Sequence, residues 1–411
     1  MARSLYICYF GMREPLVQTQ VLSYLRELVK DGHEITLLTF EPANSELEPK
    51  RAAELRGSLA AENIDWHTLR YHKRLSVIAT AYDIFCGALF TRRMIGRKQL
   101  HILHARVHVP ALMAALARKL SRRKPKILFD IRGFFPEEYT DAGVWPANGW
   151  LYRSAKRVER WLLKEADGFV VLTEKARTIL FPESAPTGVD ALGRPVEVIP
   201  CCVDFSRFDS TDPGSREDVR RTYGLNGRFV MVYVGAFGGW YLTQETADLF
   251  GVLKKKVPNA FALVLTQSPP EQIEGLLREQ GYGKEDILVT RVQPAEIPRY
   301  LSAADAAVSF IKECYSKQAS SPTKNAEYLA SGLPIIANAG VGDVDALIEK
   351  NNVGALVREM SVDGYSSALD TIEKLGDASA RCRITSREQF DLERVGGVRY
   401  RRLYSRLLER E

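Results

Sequence analysis

The chain has few cysteines, no long hydrophobic run and no low-complexity tract. Its six cysteines, at positions 8, 86, 201, 202, 314 and 382, include no C-x-x-C pair. They are typical of reduced, mostly buried thiols rather than of a disulfide framework. The longest apolar run, SVIATAYDIFCGALF, contains Asp83 and is too short to span a bilayer. The first residues, MARSLYICYFG, lack the apolar region of a signal peptide and indicate a strand. We therefore expect a cytoplasmic protein, and a place at the inner face of the membrane stays open.

The chain also lacks a strong charge and a recognisable metal motif. Its formal net charge of +6 suits an anionic ligand or a membrane surface but is too small for a nucleic-acid-binding protein. The six histidines lie between residues 33 and 108, and the cluster HILHARVH has no cysteine or carboxylate at ligand spacing. We therefore expect neither a bound metal nor a nucleic-acid partner.

Short apolar runs alternate with amphipathic helical patterns along most of the 411 residues. This alternation is typical of parallel strands buried on both faces and separated by helices. The predicted strands are 5–10, 34–40, 101–105, 126–131 and 168–173 in the first half and 228–237, 260–266, 286–292, 306–311, 333–339 and 353–357 in the second. The sequence therefore predicts an α/β protein with two doubly wound Rossmann-like domains that face each other across a cleft.

The polar, turn-rich stretch STDPGSRED suits a linker between these domains. We predict an N-terminal domain over residues 1–210 and a C-terminal domain over 211–385. The basic segment 386–411 is predicted to form a helix that closes a sheet or bridges the domains. Because ligands of open α/β sheets bind outside the carboxyl ends of the strands, we expect the chemistry there.

The stretch SSPTKNAEYLASGLPII in the second half predicts a short helix followed by a buried strand. Ser321 suits the N-cap and Pro322 the first helical position, whereas Lys324 lies where the helix dipole disfavours a cation. A phosphate bound by the amides of Ser321, Thr323 and Lys324 would explain that lysine. Glu327 lies on the same helix face and suits a ribose with its hydroxyl donors. The alternative, weighted equally on spacing alone, is an ordinary exposed Lys324–Glu327 ion pair.

The loop VGAFGGWY follows the first predicted strand of the second half. Its glycines, Gly235, Gly238 and Gly239, permit close approach of a diphosphate to the backbone. The loop does not match G-x-G-x-x-G, so a dinucleotide site has little support. A purely architectural turn is the alternative.

Ionisable residues end a buried strand in the first half, in FDIRGFFPEEY. Asp130, Arg132, Glu137 and Glu138 are functional candidates because they follow the carboxyl end of the strand. An internal Asp130–Arg132 salt bridge that holds the loop is the alternative. The basic runs TRRMIGRK and RKLSRRKPK indicate either a solvated face or contact with an anionic lipid surface.

Several stretches together resemble the family-4 glycosyltransferases, retaining enzymes of the GT-B fold that use nucleotide-sugar donors. They are LRELVKDGHEITLLT, EADGFVVLTEKA, VEVIPCCVDFSRF, VYVGAFGG, YLSAADAAVSF and EYLASGLPIIANAGVGDV. The resemblance spans nearly the whole chain. FDIRGFFPEEYTDAGVW and GAFGGWYLTQE are similar to a bacterial subgroup associated with surface-polysaccharide assembly.

The resemblance implies roles for individual residues. Glu327 would bind the donor ribose, and the amides of Thr323 and Lys324 would hold the diphosphate together with the glycine loop. The backbone near Val292 would meet the base. Gly11, at the end of the first strand, would lie near the sugar and phosphate.

Three features of the family pattern are changed in this sequence. The first of the two usual glutamates would fall at Ala319. The arginine and lysine of the usual diphosphate clamp are replaced around Ala236 and Trp240, and Lys324 would supply the missing charge. A histidine common at the end of the FDIR strand is Arg132 here.

The resemblance implies a retaining transfer of a sugar from a nucleoside-diphosphate sugar, UDP- or GDP-linked, to the hydroxyl of a sugar or lipid-linked acceptor. This would serve cell-surface polysaccharide or glycoconjugate assembly, without a required metal or further cofactor. The residues expected to act in catalysis are Lys324, Glu327, Asp130, Arg132 and Glu138, with Glu137 beside the acceptor. The alternatives are a non-catalytic nucleotide-sugar-binding partner of another transferase and a GT-B sugar-nucleotide epimerase.

Overall fold

The computed structural model of the protein describes residues 2–42, 48–72, 76–210 and 214–409. The chain forms two compact units, one containing the chain up to Pro200 and the segment from Leu392 onward, the other containing Cys201–Asp391. Each unit is a parallel sheet covered by helices, so the predicted pair of Rossmann-like α/β units is confirmed. The boundary predicted after residue 210 falls next to residues 211–213, which lie outside the described residues.

The first unit contains a seven-stranded parallel sheet with the order β3-β2-β1-β4-β5-β6-β7. Its central strands are buried along almost their whole length, as their continuous apolar runs predict. The strands are β1 (Arg3–Cys8), β2 (Glu34–Pro42), β3 (Ile64–Tyr71), β4 (Ile102–Arg106), β5 (Lys126–Asp130), β6 (Gly168–Val171) and β7 (Val196–Val198).

In the described chain, eight α-helices lie between these strands. They are α1 (Pro15–Val17), α2 (Ser23–Lys30), α3 (Pro49–Ala61), α4 (Ser76–Lys98), α5 (His108–Lys119), α6 (Phe135–Asp141), α7 (Trp150–Glu165) and α8 (Glu174–Leu180). The last helix of the chain also belongs to the first unit. In the parts of the chain that the structure describes, no helix is both long enough and apolar enough to cross a membrane.

The second unit contains a six-stranded parallel sheet with the order β10-β9-β8-β11-β12-β13. Alternate side chains of its first strand enter different cores, for example Val232 on one face and Tyr233 on the other, because helices cover both faces. The strands are β8 (Val230–Val234), β9 (Phe261–Leu265), β10 (Ile287–Thr290), β11 (Ala306–Ser309), β12 (Ile335–Asn338) and β13 (Gly354–Val357). The helices are α9 (Ser206–Asp209), α10 (Ser215–Thr222), α11 (Thr243–Lys256), α12 (Pro270–Glu279), α13 (Ile297–Ser302), α14 (Thr323–Ala330), α15 (Val344–Asn351), α16 (Val362–Leu375) and α17 (Ser379–Phe390).

The last helix, α18 (Val398–Glu409), belongs to the first unit. Its buried residues, Tyr400, Leu403, Tyr404 and Leu407, follow the three- and four-residue spacing of one helix face. The hydroxyl of Tyr404 lies 3.0 Å from Nδ1 of His104 on β4, so polar contacts as well as apolar ones hold α18 to the sheet.

Both sheets have a topological switch point next to their first strand. β1 lies between β2 and β4, and β8 lies between β9 and β11, so the connections leave in opposite directions. Crevices at such points, outside the carboxyl ends of the strands, are where open α/β sheets bind ligands. Gly11 follows β1 and Gly235 follows β8, which places a candidate loop at each switch point.

Candidate functional site

The helix start that carries Lys324 differs slightly from the prediction. α14 begins at Thr323 with Pro322 as its N-cap, one residue later than expected. Ser321 is not the cap because its Oγ accepts a hydrogen bond from the amide of Cys201 at 3.1 Å. Thr323 and Lys324 are the first two helical residues, whose amides have no acceptor within the helix. Two N–H groups at this helix start therefore suit an anion.

Lys324 is buried, and its ammonium has no hydrogen-bond partner among the described residues. Nζ lies 4.4 Å from the ring centroid of Tyr233 and 4.1 Å from that of Tyr241. Burial lowers the pKa of Lys324 to about 7, and the carboxylate of Glu327 only partly opposes this. The exposed surface ion pair therefore does not describe this lysine. Two aromatic faces attract the cation but leave its N–H donors available to a ligand.

The glycine loop lies directly against Lys324. Gly235, Gly238 and Gly239 have φ angles of 135°, 77° and 61°, which side-chain-bearing residues rarely adopt. A Cβ at position 235 would lie 3.0 Å from Nζ of Lys324. The amide of Gly238 donates to Oγ1 of Thr243 at 3.0 Å, so this amide is used within the protein. The conformation of the loop therefore leaves its backbone open to close approach, whereas at least one of its amides is already used as a donor.

A second lysine, Lys317, lies against the same loop and was not anticipated from the sequence. It is buried in the turn Tyr315–Ala319, and its Nζ lies 3.9 Å from the ring centroid of Trp240. The carbonyl of Trp240 accepts a hydrogen bond from the amide of Lys312 at 2.8 Å, which fixes the loop to this segment. Ala319, where the family pattern has a glutamate, is buried in the same turn. Lys317 and Lys324 thus contact consecutive aromatic residues of the loop.

Glu327 is held by Arg207, which sequence reasoning missed. The carboxylate oxygen Oε1 lies 3.5 Å from Nη1 of Arg207. Burial raises the pKa of Glu327, whereas Arg207 and Lys324 act in the opposite direction. Arg207 lies within DFSRF, which is part of one of the stretches that resemble the family. Its partner Glu327 lies 120 positions further along the chain, so the sequence does not reveal the contact.

The segment after β10, predicted to meet the base, is tied to Glu327 through Arg207. Nη2 of Arg207 donates to the carbonyl of Pro294 at 2.5 Å. Val292 is buried, and its carbonyl accepts a hydrogen bond from Nε2 of Gln267 at 3.4 Å. The second unit therefore brings Lys324, the glycine loop, Glu327 and the base segment into one connected set.

In the first unit, Gly11 lies in a loop held by Glu41. The amide of Met12 donates to both carboxylate oxygens of Glu41, at 2.9 and 3.1 Å. A Cβ at position 11 would lie 2.9 Å from Oε2 of Glu41, so only glycine fits without displacement. No local sequence pattern indicates a role for Glu41, which lies at the end of the neighbouring strand β2.

Asp130 and Arg132 form the internal salt bridge that was the alternative interpretation. Asp130 has no exposed surface, and its Oδ1 lies 2.8 Å from Nε of Arg132. The hydroxyl of Tyr400 donates to Oδ2 of Asp130 at 3.0 Å, and Nη2 of Arg132 donates to that hydroxyl at 2.6 Å. The neighbouring guanidinium groups keep the pKa of Asp130 far below its usual range despite burial. The carboxylate of Asp130 is thus enclosed and holds Arg132 in place, and a catalytic role for Asp130 stays a prediction.

The two glutamates that follow on α6 differ in their surroundings. Glu137 is buried, and its Oε1 accepts from the hydroxyl of Tyr152 and lies 3.0 Å from Nζ of Lys156. Glu138 is partly exposed, and its carboxylate lies against the backbone of Gly133. Of the pair, Glu138 is the one with a surface available to a ligand.

Two family models match successive parts of the chain. The model for Glycosyltransferase Family 4 matches residues 17–207, and the model for Glycosyl transferases group 1 matches residues 215–389. Among characterised proteins, the chain is 28% identical over 156 residues to 2-deoxystreptamine glucosyltransferase of Streptomyces kanamyceticus. That match spans 36% of this chain and 38% of the relative's length.

Solved structures are similar over the full length. Sucrose-phosphate synthase from Thermosynechococcus elongatus superposes with a TM-score of 0.72 at 16% identity, with 100% of both chains covered. HepE of Anabaena, solved in complex with UDP and glucose, gives a TM-score of 0.67 at 13% identity and covers 98% of this chain and 100% of its own. At these identities the likeness shows the fold.

Proposed function

Because the chain belongs to the family-4-type glycosyltransferases of the GT-B fold, we propose that it moves a sugar from a nucleoside-diphosphate sugar to a hydroxyl acceptor. The observation that carries this proposal is the buried ammonium of Lys324, which lies beside the glycine loop and a helix start and has no hydrogen-bond partner among the residues that the structure describes. A buried cation without a partner is unfavourable, and a diphosphate would satisfy it together with the helix-start amides.

The proposed mechanism depends on stabilising the departing diphosphate. Lys324, Lys317 and the amides of Thr323 and Lys324 would balance the charge that develops on the leaving group. Glu327, oriented by Arg207, would accept hydrogen bonds from the ribose hydroxyls and so fix the donor. We propose that transfer retains the anomeric configuration and needs no metal ion.

We propose a UDP- or GDP-linked donor and a role in cell-surface polysaccharide or glycoconjugate assembly. A neighbour in fold, HepE, binds UDP-glucose, and the matched relative is a glucosyltransferase, which supports a nucleotide-linked hexose. The acceptor, a sugar or a lipid-linked sugar, would be oriented by the first unit through Gly11, Arg132 and Glu138. The basic runs at 91–98 and 118–126 support peripheral contact with an anionic membrane.

A thermal-shift panel of UDP-, GDP-, ADP- and dTDP-sugars tests the donor site. A ligand that binds only the folded protein raises its melting temperature, so one base should give the largest shift. In Lys324→Met the same nucleotide should bind about 10- to 100-fold more weakly, because a charge-assisted hydrogen bond is lost. Without nucleotide, Lys324→Met should melt higher than the wild type, since it removes a buried unpaired charge.

The matched control is Lys255→Met, which alters an exposed lysine of the same unit. It should leave both the shift and the nucleotide affinity unchanged. If no nucleotide sugar stabilises the protein, or if Lys324→Met binds as tightly as the wild type, the assignment of this site is wrong.

One observation favours a second function, that of a non-catalytic nucleotide-sugar-binding subunit. Ala319 occupies the position of a family glutamate, and it is buried without a polar group. Release of free sugar from the donor, or transfer to an acceptor by the purified protein, excludes this alternative. Donor binding with neither reaction supports it.

A further inference from the structure

Helix α4 carries a row of exposed apolar side chains along one face. Ile78, Tyr82, Phe85 and Leu89 are spaced four, three and four residues apart and are exposed by 68%, 55%, 59% and 42%. Residues at this spacing lie one above another on a helix. Single exposed apolar residues are ordinary, but a contiguous row of this kind marks an interaction surface.

The opposite face of α4 is firmly anchored, so the exposure does not reflect a loosely placed helix. The carboxylate of Asp83 accepts hydrogen bonds from the hydroxyl of Tyr9 at 2.6 Å and from the amide of His72 at 3.1 Å. Gly87 lies so close to α5 that a Cβ there would be 2.4 Å from the sulfur of Met113. These contacts determine which face of α4 points to solvent.

The charges on α4 are arranged asymmetrically. Asp83 is the only acidic residue between positions 76 and 98, and it lies on the buried face. Beyond Leu89 the solvent-facing side continues with Arg92, Arg93 and Arg97, all exposed. The exposed face therefore has an apolar end and a cationic end.

We propose that this face of α4 docks the protein on an anionic lipid surface. The helix would lie in the plane of the interface, with Ile78, Phe85 and Leu89 at the boundary between headgroups and acyl chains. Arg92 and Arg93 would meet lipid phosphates, where each cation adds attraction. This proposal names the residues of the membrane contact proposed above. It does not depend on the transfer reaction.

A second copy of the chain is a poorer occupant of this face. Pairing two such faces in parallel places arginines against arginines, which repel each other. In an antiparallel two-fold pair, each cationic end would lie against the apolar end of the other copy. The arginines would then be removed from water without an anionic partner, which is unfavourable. An anionic lipid surface complements both ends at once.

Sedimentation of the full-length protein with vesicles tests the proposal. Wild-type protein should bind phosphatidylcholine vesicles that contain phosphatidylglycerol and bind pure phosphatidylcholine much more weakly. Ile78→Ser with Phe85→Ser should reduce partitioning at least about 10-fold, since two apolar side chains no longer enter the lipid. Arg92→Gln with Arg93→Gln should reduce the preference for anionic vesicles about 10-fold and weaken its dependence on salt.

Two matched controls alter exposed residues elsewhere. Leu192→Ser with Ile384→Ser removes two apolar side chains, and Lys255→Gln with Lys284→Gln removes two charges. Both should bind anionic vesicles as the wild type does. The nucleotide-induced thermal shift of every variant shows that it is folded and separates this proposal from the proposed function.

Absence of wild-type binding to anionic vesicles, or equal binding by the α4 variants, would overturn the proposal. So would a wild-type dimer in solution that dissociates in the Ile78→Ser, Phe85→Ser variant, because that result assigns the face to a second copy. Light scattering without vesicles measures the oligomeric state.

Discussion

At the scale of single residues, Lys324 lies between two tyrosine rings and near one carboxylate. Tyr233 comes from β8, Tyr241 from the glycine loop, and Glu327 from α14 itself. Burial raises the pKa of both tyrosines, so they stay uncharged near neutral pH. Without a ligand, the pKa of Lys324 therefore stays low. A bound anion is expected to raise this pKa, so that Lys324 takes up a proton.

This environment predicts a specific pH dependence. The pKa of Lys324 is about 7 in the folded protein and near the ordinary lysine value of 10.5 in the unfolded chain. The unfolded chain therefore binds more protons between these values, so the free energy of unfolding should rise with pH across that window. The difference between wild type and Lys324→Met should change by up to about 1.4 kcal/mol per pH unit. Urea unfolding of both proteins between neutral and alkaline pH measures it.

Nucleotide binding should show the reverse linkage. A bound diphosphate raises the pKa of Lys324, so binding above neutral pH should take up to one proton from the buffer. Calorimetric titration in buffers of different ionisation enthalpy measures this uptake. Uptake that persists unchanged in Lys324→Met would assign the proton to another group.

At the scale of elements, the loop after β8 has a shape that depends on its first glycine. Gly235 has a positive φ and lies against the ammonium of Lys324. A side chain at this position would therefore strain the backbone and also crowd Lys324. The loop and α14 are consequently matched to each other, although 89 positions separate Gly235 from Lys324.

Gly235→Ala should therefore weaken both folding and binding. The strained backbone should cost about 1–3 kcal/mol in the free energy of unfolding. Displacement of Lys324 should also lower nucleotide affinity, measured by the same thermal-shift panel. The control is Gly275→Ala in α12, where a Cβ meets nothing within 4 Å. That change should gain about 0.5–1 kcal/mol because alanine favours helix, and it should leave binding unchanged.

The elements that the sequence predicted best are those buried on both faces. Strands such as β8 and β9 are continuous apolar runs, and their predicted bounds lie within three residues of the observed ones. β3 was missed because it is an edge strand with a mixed burial pattern, and β7 because it has only three residues. The central sheet follows from the pattern of apolar residues, whereas its edges depend on tertiary pairing.

The candidate site divides in the same way. Lys324 could be found from its sequence because a cation at a helix start conflicts with the local dipole. The sequence could not predict the roles of Arg207, Lys317 and Glu41. Each contacts a residue that is distant in the sequence and that only the fold brings near. The enclosure of Asp130 could not be predicted for a related reason. A carboxylate at the end of a strand gives no sign in the sequence that a tyrosine from the last helix will enclose it.

At the scale of the whole molecule, each unit has its own stabilising contacts. The proposed nucleotide site lies within Cys201–Asp391, whereas Tyr400 binds Asp130 and Arg132 in the other unit. Proteins of two domains often depart from a single two-state transition. If the two units unfold in separate transitions, stabilisation of the second unit by nucleotide can be distinguished from destabilisation of the first unit by a mutation.

Tyr400→Phe tests this separation. Loss of the hydroxyl leaves the buried Asp130–Arg132 pair without one hydrogen-bond partner, which should cost about 1–3 kcal/mol in the first unit. Calorimetry should show a lower transition that nucleotide does not restore, while the transition that nucleotide raises stays in place. Tyr139→Phe, at a partly exposed tyrosine of the same unit, should leave both transitions unchanged.

The return of α18 to the first unit also bears on how the protein is made. The ribosome must synthesise all of Cys201–Asp391 before the residues that complete the first unit emerge. Until then the side chains of His104 and Asp130 lack their tyrosine partners from α18. Because domains generally fold as units, the second unit can reach its final structure earlier. The half of the protein that is synthesised first is thus the half that is finished last.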